Sequence, residues 1–214
     1  FAKKIQMNLF LLALGALFSV INPLGTVPIF VGLTEKNSSK EKARISLKTA
    51  IDACVILLIS FFLGRFILEF FGISIYSLKI AGGLIIASSG FALLTGNFNK
   101  HKGMQEHVKE DALNRQDVSL TPLAIPMLAG PGTISLLITY NQEYTLLKEK
   151  MFLVLAILTV SVIVYIILRS SAVIVKALGA SGINALSRII GFIVIAIGIE
   201  YILSALTALA TKLL

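Results

Sequence analysis

Long runs of apolar residues, separated by short polar segments, dominate the chain. Six of these runs are long enough to cross a bilayer, since about 20 apolar residues in a helix span its hydrocarbon core. The pattern predicts an all-α integral membrane protein with one transmembrane domain over residues 1–214. The six predicted spans are at about 6–34, 43–64, 73–96, 119–141, 147–168 and 181–211.

The composition favours a membrane protein over a water-soluble one. Hydrophobic residues make up 57% of the chain and charged residues 14%, with a mean hydropathy of +0.92, which leaves too little polar surface for a soluble fold. The net charge of +8 would suit nucleic acid, but most of it lies between apolar runs. We therefore expect membrane lipid around the protein and no nucleic-acid partner.

The distribution of positive charge predicts the orientation in the membrane. The segments after spans one, three and five hold eleven Lys and Arg residues, against six on the opposite side. Because positively charged segments stay in the cytoplasm, both termini are expected outside. This predicts a multi-pass protein of the cell membrane, either a plasma membrane or a bacterial inner membrane.

Several sequence landmarks recur in the same order about half a chain apart. Such spacing indicates internal duplication, with repeats at about 1–107 and 108–214. Since each half holds three spans, the second half is expected to be inverted relative to the first, as in many secondary transporters. The matched landmarks are Gly25-Thr26 with Gly132-Thr133, Gly72 with Gly179, Gly83 with Gly191 and Gly90 with Gly198.

All five prolines fall in the first span of each half. Two pairs are informative, Asn22-Pro23 and Gly130-Pro131, because Asn is a favoured helix N-cap and Pro suits the first helical position. Each pair predicts that a second half-helix begins there, so spans one and four are expected to be broken near the bilayer midplane. The other prolines are equally consistent with ordinary kinks.

A helix broken inside the bilayer exposes backbone groups that need a partner. Free N–H groups and the positive end of a half-helix suit a carboxylate, whereas free carbonyl groups suit an ammonium. The hydroxyls of Thr26 and Thr133 lie beside the breaks, which contain no ionisable side chain. A small zwitterion such as a neutral amino acid fits this chemistry, and a polyol or water does not contradict it.

The two break motifs, NPLGTVPIF (22–30) and PLAIPMLAGPGTIS (122–135), in a six-span chain of this length resemble the MarC family. That family includes the SnatA-type small neutral amino acid transporters, and the resemblance covers essentially the whole chain. It implies transport of glycine, alanine and similar substrates, although membership fixes the architecture better than the cargo. It also implies that substrate binds at the motif positions, which are Asn22, Pro23, Gly25, Thr26, Ala129, Gly130, Pro131, Gly132 and Thr133.

Four charged residues lie six or more positions inside the predicted spans, where charge is costly and often functional. Similar depth suggests Asp52 beside Arg188 and Lys79 beside Glu200. In a purely structural reading, Asp52 pairs with Lys48 one turn earlier and Arg188 extends to the interface. In a functional reading, all four are candidates for ion coupling or gating, and Asp52 and Glu200 are the acidic groups at depth that could carry a proton.

These features favour a secondary transporter, driven by a cation gradient in which H⁺ is preferred over Na⁺. The alternative is an aquaporin-like channel, which also brings two half-helices together at Asn-Pro motifs. An intramembrane aspartyl protease needs two Asp residues at depth and only Asp52 qualifies, so no enzyme activity is expected. We expect no cofactor and no metal site, and the residues select neither a preferred amino acid, nor a direction of transport, nor an oligomeric state.

Overall fold

The computed structural model describes residues 2–96 and 117–213, and within these ranges the chain is helical, with no strand. Residues Ser119–Leu128 form an irregular helical segment that is interrupted by extended backbone at Thr121 and Ile125. Most of the polar segment predicted between spans three and four lies outside the described residues. The helices are α1 (Ala2–Ile21), α2 (Pro23–Leu33), α3 (Ser39–Phe71), α4 (Ile75–Thr95), α5 (Pro131–Glu143), α6 (Leu147–Arg169) and α7 (Ser171–Leu213).

Five helical stretches in the described part are long and apolar enough to span a membrane. The segment Ser119–Leu128 and the helix α5 meet at an angle of 64° and make a sixth span if they are taken together. The prediction of an all-helical, multi-pass membrane protein is thereby confirmed. The five stretches are Met7–Leu33, Ser39–Phe71, Ile75–Thr95, Leu147–Arg169 and Ser171–Lys212.

Helix α3 is longer at both ends than its predicted span of 43–64. It begins early because Ser38 and Glu41 form a capping box: the Ser38 hydroxyl accepts from the Glu41 N–H, and the Ser38 N–H donates to the Glu41 carboxylate. It ends where Gly72 takes a left-handed backbone with φ 64°. Local capping chemistry, rather than hydrophobicity, therefore fixes these ends.

Helix α7 also begins before its predicted span of 181–211. Its regular backbone is interrupted at Gly179, with φ 63° and ψ 176°, a conformation that residues with a Cβ rarely adopt. The element is therefore two helical segments joined at this glycine, and the segment after it coincides with the predicted span.

The core lies along stripes of small and apolar residues that face neighbouring helices. On α3 the buried positions recur every three or four residues and include Ala53, Leu57 and Phe61. The opposite face exposes large apolar side chains such as Phe66 and Phe70. In a membrane protein this outer apolar face is the surface that meets lipid.

The two halves of the chain interlock. Helix α1 packs on α6, α2 on α7, α4 on both α5 and α7, and α3 on both α5 and α6. All of these contacts join the first half of the chain to the second. Within the described part, contact between helices of the same half is slight and is greatest between α6 and α7. Neither half is therefore a separate body.

Helices α4 and α7 approach each other through four glycines. A Cβ on Gly83 would lie 2.6 Å from the carbonyl oxygen of Gly198, and one on Gly90 would lie 2.7 Å from that of Gly191. A Cβ on Gly198 would lie 2.6 Å from the carbonyl oxygen of Gly83, and one on Gly191 would lie 2.8 Å from that of Gly90. Backbones can approach this closely only where neither helix carries a side chain. The contact is reciprocal, as between residues related by a two-fold axis.

Candidate functional site

A single residue, Asn22, separates α1 from α2. Its backbone is left-handed, with φ 48° and ψ 66°, which Asn tolerates better than most residues. Its Oδ1 atom accepts a hydrogen bond of 3.3 Å from the Gly25 N–H, and Pro23 takes the first position of α2. The chain thus turns at Asn22 and starts a new, capped helix at once.

This joint is buried among the surrounding helices. Asn22 and Thr26 are both 0% exposed, and the Thr26 hydroxyl donates a hydrogen bond of 3.4 Å to the Asn22 carbonyl oxygen. The Nδ2 atom of Asn22 has no hydrogen-bond partner in the described part of the chain. A buried amide donor without a partner is unfavourable, so this group is suited to meeting a ligand.

The break in the second half includes more residues than the single-residue joint at Asn22. Its first part, Ser119–Leu128, contains cis peptide bonds before Pro122 and Pro126. The backbone at Thr121 and Ile125 is extended rather than helical. Because a proline has no N–H, this segment lacks part of the regular helical ladder.

Helix α5 starts directly after this segment, with Gly130 in extended conformation and Pro131 at the first helical position. The hydroxyl of Thr133 donates to the carbonyl oxygen of Leu128 at 3.4 Å. Like the hydroxyl of Thr26, it binds a carbonyl at the break that precedes its own helix. The two matched threonines therefore make similar contacts in the two halves.

Most residues of the second break are buried. Ala129 is 1% exposed and Thr133 is 0% exposed. A Cβ added to Gly132 would lie 3.0 Å from the Cγ1 atom of Ile86 on α4. Gly132 therefore lies against a helix of the first half, whereas Pro131 is exposed.

Two cavities flank the joint at Asn22. A cavity of about 260 Å³ is lined by Gly25, just after the joint, and by Arg188 on α7. A more open cavity of about 650 Å³ is lined by Ser19, just before the joint, and by Glu200 on α7. Residues before the joint lie beside the later part of α7, so the two elements run antiparallel and the cavities lie on opposite sides of Asn22. We call them the Arg188 cavity and the Glu200 cavity.

Lys79 forms an ion pair with Glu143, so the pairing with Glu200 that depth suggested is wrong. The Lys79 Nζ atom lies 2.5 Å from the Glu143 Oε1 atom and 5.5 Å from the centre of the Tyr201 ring. Glu143 is the last residue of α5, two residues beyond the predicted end of span four. If the predicted helix that begins at Pro131 is extended by one turn, span four includes Glu143.

Asp52 belongs to a polar network at the start of the second break. Its Oδ2 atom accepts a 3.1 Å hydrogen bond from the Ser119 hydroxyl, which also lies 2.7 Å from the Asp117 Oδ1 atom. Lys48 pairs with Asp117 rather than with Asp52. Lys48 and then Ser119 lower the pKa of Asp117 from its ordinary 3.8 to about 2. Neither Lys48 nor Arg188 forms an ion pair with Asp52.

Arg188 and Glu200 form no ion pair with any residue that the structure describes. Each lines one of the two cavities instead. Across the described ranges, no cluster of three or more His, Cys, Asp or Glu side chains is arranged to hold a metal ion. The groups available at this site are thus backbone ends, small polar side chains and two unpaired charges.

Comparison with known proteins identifies relatives over nearly the whole chain. The model of the MarC family integral membrane proteins matches residues 7–210. The membrane protein MJ1677 of Methanocaldococcus jannaschii is 37% identical over 206 residues, which cover 94% of this chain and 97% of that protein.

Two bacterial relatives are similarly close. The membrane protein YhcE of Escherichia coli (strain K12) is 32% identical over 198 residues, which cover 92% of each chain. The inner membrane protein MarC of Citrobacter koseri is 34% identical over 202 residues, which cover 90% of this chain and 91% of that protein. No solved structure matches this chain.

Proposed function

The chain belongs to the MarC family of integral membrane proteins, and on that basis we propose that it is a secondary transporter of small neutral amino acids such as glycine and alanine. One observation carries the proposal: two cavities flank a buried joint at Asn22 from opposite sides. Alternating access needs a site closed by a few residues with an approach from each face of the membrane. The buried joint, with a cavity on either side of it, supports this mechanism.

The chemistry of the joint favours a small zwitterion. Helix α2 begins there, so its positive dipole end favours a carboxylate, to which Asn22 Nδ2 could donate. Helix α1 ends there, at Ile21, and the carbonyl groups of its last turn favour an ammonium. The Arg188 cavity, at about 260 Å³, is below the usual range for drug-sized ligands, which suits glycine or alanine.

We interpret the architecture as two inverted three-span repeats, about 1–107 and 108–214, with the first span of each repeat broken. Three observations support this interpretation. The glycine contacts between α4 and α7 are reciprocal, and Thr26 and Thr133 make similar contacts. The packing of α1 on α6 also has a counterpart in the packing of Ser119–Leu128 on α3. Because the halves interlock, rocking one whole half against the other would disrupt most of the helix packing. We therefore favour gating at the breaks.

Orientation and energy coupling complete the proposal. With both termini outside, the Arg188 cavity would open towards the cytoplasm and the Glu200 cavity towards the exterior. Glu200 is the better proton carrier, because it lines a cavity and has no ion-pair partner among the described residues, whereas Asp52 is hydrogen-bonded to Ser119. Lys79, paired with Glu143, has a structural role in this scheme.

The test is uptake of radiolabelled glycine into proteoliposomes under an imposed pH or Na⁺ gradient. Gly25→Leu and Gly132→Leu place a bulky side chain at each break, and Gly32→Leu is the matched control because space is open around Gly32. Saturable, gradient-driven accumulation that both break variants lose and the control keeps would support the proposal. If glycine equilibrates without saturation, at a rate that no gradient changes, a channel is favoured. If glycine does not cross the membrane, the proposed substrate class is wrong.

A further inference from the structure

We propose that Arg188 binds the carboxylate of the transported amino acid in the Arg188 cavity. The substrate would occupy this cavity before or after it passes the joint, on the side of the joint where α2 lies. This inference rests on the proposed function and adds a residue outside both break motifs. It gives Arg188 a role in substrate recognition, in place of ion coupling or a snorkelling contact with the interface.

The cavity is built at the ends of two helices with opposite polarity. Gly25 lies in the first turn of α2, at the positive end of that helix's dipole, and its own N–H is bonded to Asn22 Oδ1. Leu93 and Gly96 lie at the end of α4, where the last carbonyl groups give a negative dipole end. A zwitterion fits between them with its carboxylate towards α2 and its ammonium towards α4.

Arg188 sits on the side of the cavity formed by α7, together with Asn184 and Ser187. Asn184 is one helical turn before Arg188, so both side chains point to the same face of α7. Among the described residues that line the cavity, none is acidic, and Arg188 forms no ion pair in the described part of the chain. An unpaired guanidinium in a concave site attracts an anion, and its planar fork matches a carboxylate in a bidentate geometry.

The size and setting of the cavity favour a small carboxylate over a phospholipid headgroup. Its volume of about 260 Å³ holds a glycine-sized solute, and one of its walls is Gly25, three residues from the buried joint. A headgroup at this site would also need a path for its acyl chains to the bilayer, and α7 packs on both α2 and α4. Binding of phosphate from a lipid is therefore the alternative that the test must separate.

The first experiment measures chemical modification of Arg188 in the purified wild-type protein. Phenylglyoxal reacts with accessible guanidinium groups, and peptide mass spectrometry follows Arg188 together with Arg169, which lies outside the cavity and serves as the internal control. We expect glycine and acetate to slow modification of Arg188 at least fivefold, with no effect from glycinamide, which lacks a carboxylate, and no change at Arg169. Protection by an anionic phospholipid, but by neither glycine nor acetate, would overturn the proposal.

The second experiment measures glycine transport by Arg188 variants. We expect Arg188→Gln to raise the KM for glycine at least tenfold and Arg188→Lys to raise it less. Lys176→Gln, which removes a cation from the part of α7 before Gly179 and outside the cavity, should leave it unchanged. An unchanged KM in a well-folded Arg188→Gln variant would overturn this inference and leave the proposed function standing. If wild-type protein moves no glycine but acetate still protects Arg188, the carboxylate site stands and the proposed function fails.

Discussion

The Nζ atom of Lys79 lies 2.5 Å from the Oε1 atom of Glu143, and this ion pair joins α4 to the last residue of α5. The two partners differ in their surroundings, since the Lys79 side chain is 10% exposed and the Glu143 side chain is 40% exposed. Removing Glu143 would leave a buried ammonium without a partner, whereas removing Lys79 would leave a carboxylate that still reaches the surface.

We therefore expect Glu143→Gln to destabilise the fold by about 3 kcal/mol and Lys79→Met to destabilise it by clearly less. The measurement is reversible unfolding in detergent, followed by circular dichroism. Arg65→Gln, which breaks the exposed pair between Arg65 and Glu69, is the control and should leave stability nearly unchanged. Equal losses for the two Lys79–Glu143 variants would contradict this asymmetry.

The glycine contacts between α4 and α7 predict opposite effects for one substitution at two sites. Gly90→Ala forces a methyl group to within 2.7 Å of the Gly191 carbonyl oxygen, so we expect a loss of about 1–3 kcal/mol as the helices separate. Gly32→Ala meets nothing within 4 Å and should stabilise α2 by up to about 1 kcal/mol, because Ala is the better helix former. The free energies of unfolding of the two variants, measured under the same conditions, test the contact. An unchanged free energy of unfolding in Gly90→Ala would refute it.

Two substitutions at Asn22 separate its structural role from a role in binding. Asn22→Gly keeps the left-handed backbone at φ 48° and loses the side chain, whereas Asn22→Ala also strains the backbone. We expect Ala to cost about 1 kcal/mol more than Gly in stability. If the unpaired Nδ2 donor contacts substrate, glycine uptake should fall in both variants alike. Normal uptake by Asn22→Gly would show that the side chain serves only as a cap.

The lowered pKa of Asp117 predicts a response to acid. Since Lys48 and Ser119 bring this pKa from 3.8 to about 2, the ionised carboxylate stabilises the fold above about pH 4 and loses this effect as the pH falls towards 2. Lys48→Met removes the main cause, so the pKa should rise towards its ordinary value. Carbon-13 NMR titration of labelled Asp measures the shift, and an unchanged pKa in the variant would contradict the network.

The parts of the fold that the sequence could predict are those set by local chemistry. Bilayer-length apolar runs indicated the spans, and Asn22 and Pro23 occupy the cap and first helical positions that such residues favour. The ends of α3 were missed because hydrophobicity does not detect a capping box such as that of Ser38 and Glu41.

The partners of the charged residues could not be predicted, because they depend on how helices rotate and pack. Depth along a span put Lys79 near Glu200, yet packing of α4 on α5 brings Glu143 closer. The two cavities likewise arise only when α7 lies against α1 and α2, so no local motif signals them. Local sequence thus indicates where a helix begins, whereas the packing of the helices determines which side chains form ion pairs and which line a cavity.

In the proposed mechanism, the joint at Asn22 opens one cavity while it closes the other. The most direct test uses single cysteines at Ala16, in the Glu200 cavity, and at Asn184, in the Arg188 cavity, in a protein whose native Cys54 is replaced by Ser. The labelling rates with a small membrane-impermeant thiol reagent are measured with and without saturating glycine. We predict that glycine changes the two rates in opposite directions. Rates that change together, or that stay constant while glycine crosses the membrane, would contradict alternating access and indicate a continuous pore.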